Sequence, residues 1–268
     1  MSLNRVRFLK QSHPSRPDVP LLVFLPGMDG TGELFENQLG SLQQEMDVRC
    51  LSIPPDDTTP WEGLARATAD LIRVEKAAVP RRPVYVCGES FGGCLALMLA
   101  RYAPESFDYL ILVNPASSFS RQPWRQWSAE MARSVPAPLY SLSAIALVPL
   151  LIAPERVSET NQRALLTAMW SVTQRSAAWR LSLAGQFSLD DMPLHRITQP
   201  TLVLASTGDR LLPSVEESER LLKRLPNARR MLLPGSGHAC LLETEINLGK
   251  ILKAQQFLKY PTLASHNK

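Results

Sequence analysis

The sequence predicts an α/β protein: a mostly parallel sheet with helices on both faces and a helical cap inserted between two strands. Three observations predict it. Short apolar runs alternate with helix-period segments, most runs end at a Gly or a Pro, and the alternation is suspended once, between Pro115 and Gln199. The 268 residues are 45% hydrophobic and 20% charged, which supplies a sizeable core and excludes an intrinsically disordered chain.

The first strong strand is Leu21 to Leu25, bounded by Pro20 and Pro26 and followed by Gly27 and Gly30. Val48 to Ile53, Val84 to Cys87, Tyr109 to Val113, Thr201 to Ala205 and Arg230 to Leu233 repeat the pattern. Helical periodicity fills Gly32 to Glu45, Trp61 to Val79, Phe91 to Tyr102, Val215 to Leu225 and Leu241 to Lys259. The expected organisation is a core formed by residues 1-114 and 200-268, with 115-199 as the cap. That insertion contains Trp124, Trp127, Trp170 and Trp179, and its position between two strand ends sets it over the crevice where open α/β sheets bind ligands.

Charge and cysteine usage exclude several function classes. The net charge of +4, from 29 basic against 25 acidic residues, is spread along the chain and forms no nucleic-acid footprint. Cys50, Cys87, Cys94 and Cys240 have no metal-ligand spacing and read as reduced thiols, so neither a metal nor a cofactor is expected. Met1 to Lys10 lacks the apolar stretch of a secretory signal, which makes a cytoplasmic protein the expectation. Val135 to Pro154 is uncharged and approaches the length of a membrane span. Its prolines 136, 138, 149 and 154 are expected to interrupt any single helix.

The most informative stretch is Val84-Tyr85-Val86-Cys87-Gly88-Glu89-Ser90-Phe91-Gly92-Gly93, a strand that runs through G-x-S-x-G into a helix start. Small residues permit a sharp strand-to-helix turn that lifts a serine hydroxyl to the positive end of the helix. Ser90 then needs a base. His13 precedes the sheet, His266 is near the chain end, and His195 falls at the amino end of a strand. His238, in Gly235-Ser236-Gly237-His238, follows a strand carboxyl end beside the crevice. The carboxylate that orients it is Asp209, in the loop Ser206-Thr207-Gly208-Asp209, with an Asx turn or a helix cap as the plainer role. The alternative acid position, after Tyr109 to Val113, holds Asn114. The order Ser90, Asp209, His238 is that of a nucleophile, acid and base on such a sheet. Backbone N–H groups of Phe91 and Met28 are the expected oxyanion donors, the second from Pro26-Gly27-Met28-Asp29-Gly30-Thr31-Gly32. Two other patterns carry less: His13-Pro14-Ser15-Arg16-Pro17-Asp18 spells H-x-x-x-x-D by coincidence, and Asp190-Asp191 reads as a cap or a solvated turn.

These motifs resemble the α/β-hydrolase superfamily over nearly the whole chain. More narrowly, Phe24 to Gly32, Gly88 to Leu97 and Asn114-Pro115-Ala116-Ser117-Ser118-Phe119 are similar to the esterase/lipase/thioesterase-type half of phytyl ester synthases of plant plastids and their cyanobacterial relatives. The resemblance implies a lipophilic acyl substrate, an acyl-Ser90 intermediate and an alcohol acceptor, phytol or diacylglycerol. Plant members continue into an acyltransferase-like domain, whereas this sequence stops at Lys268, so hydrolysis of esters or thioesters is the expected reaction and acyl transfer the alternative. A non-catalytic hydrolase-like binding protein is a second alternative. The uncharged Val135 to Pro154 segment is expected to line an acyl channel or to touch a membrane surface, thylakoid in a cyanobacterial setting, with Arg121, Arg125, Arg133 and Arg156 near headgroups. A buried cap core is the plainer reading of the same segment.

Overall fold

The computed structural model describes residues 5–10 and 14–259 of the chain. Its strands are β1 (Arg7–Phe8), β2 (Leu21–Leu25), β3 (Asp47–Ser52), β4 (Val84–Glu89), β5 (Tyr109–Val113), β6 (Thr201–Ser206) and β7 (Ala228–Leu233). They form one sheet in the order β1-β3-β2-β4-β5-β6-β7, in which β1 pairs antiparallel with β3 and the other pairs are parallel. The two-residue β1 was absent from the sequence expectation because so short a run has no periodicity to read.

The helices are α1 (Glu36–Leu42), α2 (Trp61–Ala78), α3 (Phe91–Tyr102), α4 (Arg125–Ser134), α5 (Ala137–Leu151), α6 (Glu159–Ser171), α7 (Gln174–Gln186), α8 (Ser214–Leu222) and α9 (Leu248–Ala254). Alternation along the strands builds the two layers: Leu21, Val23 and Leu25 pack into one core with α2 and α3, while Leu22 and Phe24 pack into another with α1 and α9. β2 is buried along its whole length, which is why it reads as a continuous apolar run. The expected helix Leu241 to Lys259 is shorter: Cys240–Leu242 form a 3-10 turn, and Asn247 caps α9 by accepting from the Lys250 N–H.

Helices α4 to α7 all fall between β5 and β6 and make the inserted cap. Its prolines do not break the apolar segment as expected. Pro136 is the N-cap of α5, Pro138 sits in its first turn where a missing N–H costs nothing, and the helix continues past Pro149 to end at Leu151. Nor is α5 a buried core: Leu139, Leu142, Ile145, Leu147 and Leu150 are all at least 40% exposed. No helix among the described residues is long and apolar enough to cross a membrane.

Candidate active site

The sheet order reverses between β2 and β4, so the loops after these two strands lie side by side. Register does the rest. Leu25 pairs with Gly88, Glu89 with Val113, Val113 with Leu204, and Ser206 with Leu233, which brings five strand ends to one level. Ser90, Asn114, Asp209 and His238 follow four of those ends.

Ser90 has φ 53° and ψ −114°, a strained conformation for a residue with a side chain. The turn is fixed by bonds from the Ser90 N–H to the Val113 carbonyl (3.0 Å) and from the Gly93 and Ala116 N–H groups to the Ser90 carbonyl (2.9 and 3.0 Å). It also requires close approach: a Cβ on Gly92 would stand 2.0 Å from the Leu25 carbonyl oxygen, and one on Gly88 would stand 2.2 Å from that of Gly92.

His238 Nε2 is 2.8 Å from Ser90 Oγ, and His238 Nδ1 is 2.7 Å from Asp209 Oδ2. A carboxylate facing Nδ1 keeps the proton there, which leaves Nε2 to accept from the serine hydroxyl. The side chains of His238 and Asp209 are only 3% and 1% exposed. Burial pulls the His238 pKa down, but the Asp209 charge and hydrogen bond, with the Glu89 charge, outweigh it and hold the imidazole above its usual value. Burial likewise pushes Asp209 up, and His238, Ser214 and the Leu212 amide bring it below the ordinary carboxylate value. Asp209 also fills its plainer role. Its Oδ1 accepts from the Leu211 and Leu212 N–H groups (2.9 and 3.0 Å), which orients Oδ2 toward the imidazole.

Gly27 to Gly30 form a β-turn closed by Gly30 N–H to Gly27 carbonyl (3.0 Å), and a Cβ on Gly27 would lie 4.0 Å from Ser90 Cβ. Met28 follows Gly27 and Phe91 follows Ser90, and neither N–H has a hydrogen-bond acceptor among the described residues. Glu89 is the last residue of β4, directly before Ser90. Burial pushes its carboxyl up to about 7, and its Oε1 lacks a hydrogen-bond partner.

Three supporting residues escaped sequence reasoning. Asn114, fully buried at φ 41°, donates to the His238 carbonyl (2.7 Å) and to Ser206 Oγ (2.8 Å), and its Oδ1 accepts from the Ser206 N–H (2.8 Å). It ties two strand ends to the histidine loop in the place where a second acid would stand. Glu243 accepts from Gly237 N–H (2.7 Å), Ser236 Oγ (2.9 Å) and Arg156 Nε (2.6 Å), so Arg156 faces this brace rather than the headgroup role expected of it. Arg180 of α7 donates to carbonyls of the turn after β2. A G-x-S-x-G motif is a local signal, whereas each of these residues meets partners distant in sequence.

The remaining candidates lie apart from the site. His195 is exposed in a 3-10 turn before β6, and Asp190 pairs with Arg224 (2.6 Å) as a solvated ion pair. His13 and His266 lie outside the described residues, as do the side chains of Arg125 and Trp127. Among the described residues no group of three or more His, Cys, Asp or Glu is placed to hold a metal ion.

Comparison with known proteins agrees with this architecture. Residues 20–244 match the family model described as alpha/beta hydrolase fold. Phytyl ester synthase 1, chloroplastic, of Arabidopsis thaliana is 36% identical over 259 residues, covering 88% of this chain and 37% of the relative. Phytyl ester synthase 2, chloroplastic, of the same plant is 28% identical, with 90% and 38% covered. The chain thus spans under two-fifths of the length of these relatives. Among solved structures, MenH from S. aureus superposes with a TM-score of 0.74 at 18% identity, over 95% of this chain and 100% of that one. By fold, motif and kinship the chain belongs to the alpha/beta hydrolase fold family, as a hydrolytic enzyme related to the phytyl ester synthases.

Proposed function

We propose that this protein cleaves lipophilic acyl esters or thioesters through an acyl-Ser90 intermediate. The observation that carries the reading is the unbroken chain Ser90 Oγ, His238, Asp209 at a strained strand-to-helix turn. Ser90 Oγ attacks the acyl carbonyl as its proton passes to His238 Nε2. Asp209 holds the imidazolium, and the N–H groups of Phe91 and Met28 take the oxyanion. The C–O or C–S bond then breaks, and His238 returns the proton to the leaving alcohol or thiol. Water deprotonated by His238 releases the fatty acid and restores Ser90.

Acyl transfer shares the first half of this cycle and differs only in what attacks the acyl-enzyme. The 36% identity to phytyl ester synthase 1 favours this second reading, with phytol or diacylglycerol as acceptor. The test is lipid mass spectrometry on wild type and Ser90→Ala incubated with a long-chain acyl thioester or galactolipid, with and without phytol. Ser90-dependent fatty acid that ignores phytol supports hydrolysis, and Ser90-dependent phytyl ester supports transfer. A protein that does neither, and whose Ser90 resists a fluorophosphonate probe, is the non-catalytic binder.

The exposed apolar side chains of α5 are the part of the cap we assign to an anionic lipid surface, with Arg121 and Arg133 exposed in the same insertion. The root of this helix joins the site: the Leu151 carbonyl accepts from Ala239 N–H at 2.7 Å, one residue past His238. Wild type is expected to float with vesicles of phosphatidylcholine and an anionic phospholipid, and Leu142→Glu with Ile145→Glu to stay in the soluble fraction. Failure of wild type to float overturns the assignment.

A further inference from the structure

The cap holds a buried cation that the acyl chemistry leaves without a role. Arg180, near the middle of α7, is 2% exposed and makes no salt bridge among the described residues. Its guanidinium spends its donors on backbone carbonyls: Nη1 on Met28 (2.7 Å) and Asp29 (3.0 Å), Nη2 on Pro54 (2.8 Å). Desolvation lowers its pKa, with the charges of Asp29 and Asp57 partly countering. A cation so buried is costly, and three carbonyl dipoles are weaker compensation than a carboxylate. The rest of α7 is already fastened to the core. Thr173 N–H reaches the Pro55 carbonyl, Trp179 Nε1 that of Thr59, and Trp61 Nε1 that of Leu183, so docking the helix does not demand a buried charge.

Two of the three carbonyls that Arg180 takes, those of Met28 and Asp29, belong to the β-turn behind the candidate oxyanion site. The Asp29 carbonyl belongs to the peptide whose N–H, on Gly30, donates to the Gly27 carbonyl at 3.0 Å. The Gly27 carbonyl in turn belongs to the peptide whose N–H is that of Met28. Charge on Arg180 therefore polarises one peptide, which polarises the next, and the chain ends at the Met28 N–H. The approach is tight. A Cβ on Gly30, at φ 71°, would stand 2.6 Å from Arg180 Nη1, so a side chain there would push the guanidinium off the turn.

We infer that Arg180 is a positioning residue for oxyanion stabilisation, locking the turn at Gly27–Gly30 and strengthening the Met28 N–H as a donor toward charge developing on the acyl oxygen. The inference rests on the reading of Ser90 as nucleophile. It makes the cap part of the catalytic apparatus, beyond its covering role.

The test compares wild type, Arg180→Gln, Arg180→Lys and Gly30→Ala on a short soluble ester, alongside binding of an alkyl boronic acid, whose oxygen occupies the oxyanion position once boron bonds to Ser90. Arg180→Gln is expected to lower kcat by about 10- to 100-fold, less than the ~10²–10³-fold for loss of an oxyanion donor itself, with KM within about threefold. Boronic acid affinity should fall by the same factor as kcat, and Arg180→Lys should recover part of both. A residue that only glued cap to core would change melting temperature without this split. Folded Arg180→Gln with wild-type kcat and boronic acid affinity overturns the proposal. If that variant does not fold, Gly30→Ala decides, because its methyl displaces Nη1 from the turn's side: unchanged kcat and affinity there also overturn it. Wild type that neither hydrolyses esters nor reacts with a fluorophosphonate defeats the Ser90 reading and this proposal together. Active wild type with unaffected variants defeats only the role of Arg180.

Discussion

The two ends of the sheet treat polar groups in opposite ways. At the amino end, fully buried Asp47 accepts from Ser15 Oγ (2.9 Å), the Arg16 N–H (3.1 Å), Arg49 Nη2 (3.1 Å) and Arg82 Nη1 (2.9 Å), while Glu75 meets both arginines from α2. At the carboxyl end Ser90 is strained, the Met28 and Phe91 N–H groups lack acceptors among the described residues, and Glu89 Oε1 is buried without a partner. The amino end satisfies its charges and fixes the chain's entry into β2 and β3. The carboxyl end keeps groups unsatisfied, and on the proposed reading a substrate or its developing charge completes them. Strain and unpaired groups cost stability, so the contrast separates the part of the molecule that holds from the part proposed to react.

Substitution at Ser90 gives the largest separation between the two ends. Ser90→Ala is expected to lower kcat by about 10⁴-fold or more in initial-rate ester assays while leaving the melting temperature unchanged, since it removes the proposed nucleophile and no core contact. Asp47→Asn should do the reverse. Removing one charge from a buried cluster costs about 3–5 kcal/mol in urea denaturation, with kcat per folded molecule preserved. A large kcat loss in folded Asp47→Asn would break the division between the ends.

Glu89 gives the smallest and most diagnostic effect. Its carboxyl is raised from 4.5 to about 7, so between those values the folded state binds more protons than the unfolded one, and stability falls as pH rises through that window. Glu89→Gln removes the ionisation and should flatten this fall, making the variant's advantage in melting temperature larger at pH 8 than at pH 5. Equal differences at both pH values would show that Glu89 is solvated and that the carboxyl end is better satisfied than described.

Ser90, Asp209 and His238 were readable in sequence because each follows a buried apolar strand, and parallel register turns strand ends into neighbours. The turn at Gly27–Gly30 after β2 was readable for the same reason. Asn114 was visible only as a missing acid, since its partners Ser206 and His238 are remote in the chain. Arg180 sits in a cap helix whose sequence does not distinguish an inward guanidinium from a solvated one. The prolines of α5 misled in the opposite direction: their number suggested interruption, but their placement at the N-cap, the first turn and the last turn spares most of the hydrogen-bond ladder.

The bond between the Leu151 carbonyl and Ala239 N–H, together with the Arg156 to Glu243 ion pair, restricts how the cap can move. The downstream root of α5 is stitched to the loop that carries His238, and a swing there would carry His238 away from Ser90. The upstream end is tied as well: Gln174 Nε2, at the start of α7, donates to the Ala132 and Val135 carbonyls (both 2.7 Å), where α4 hands over to α5. The cap is therefore sewn down along more than one hem, and one of those seams runs through the residue next to His238.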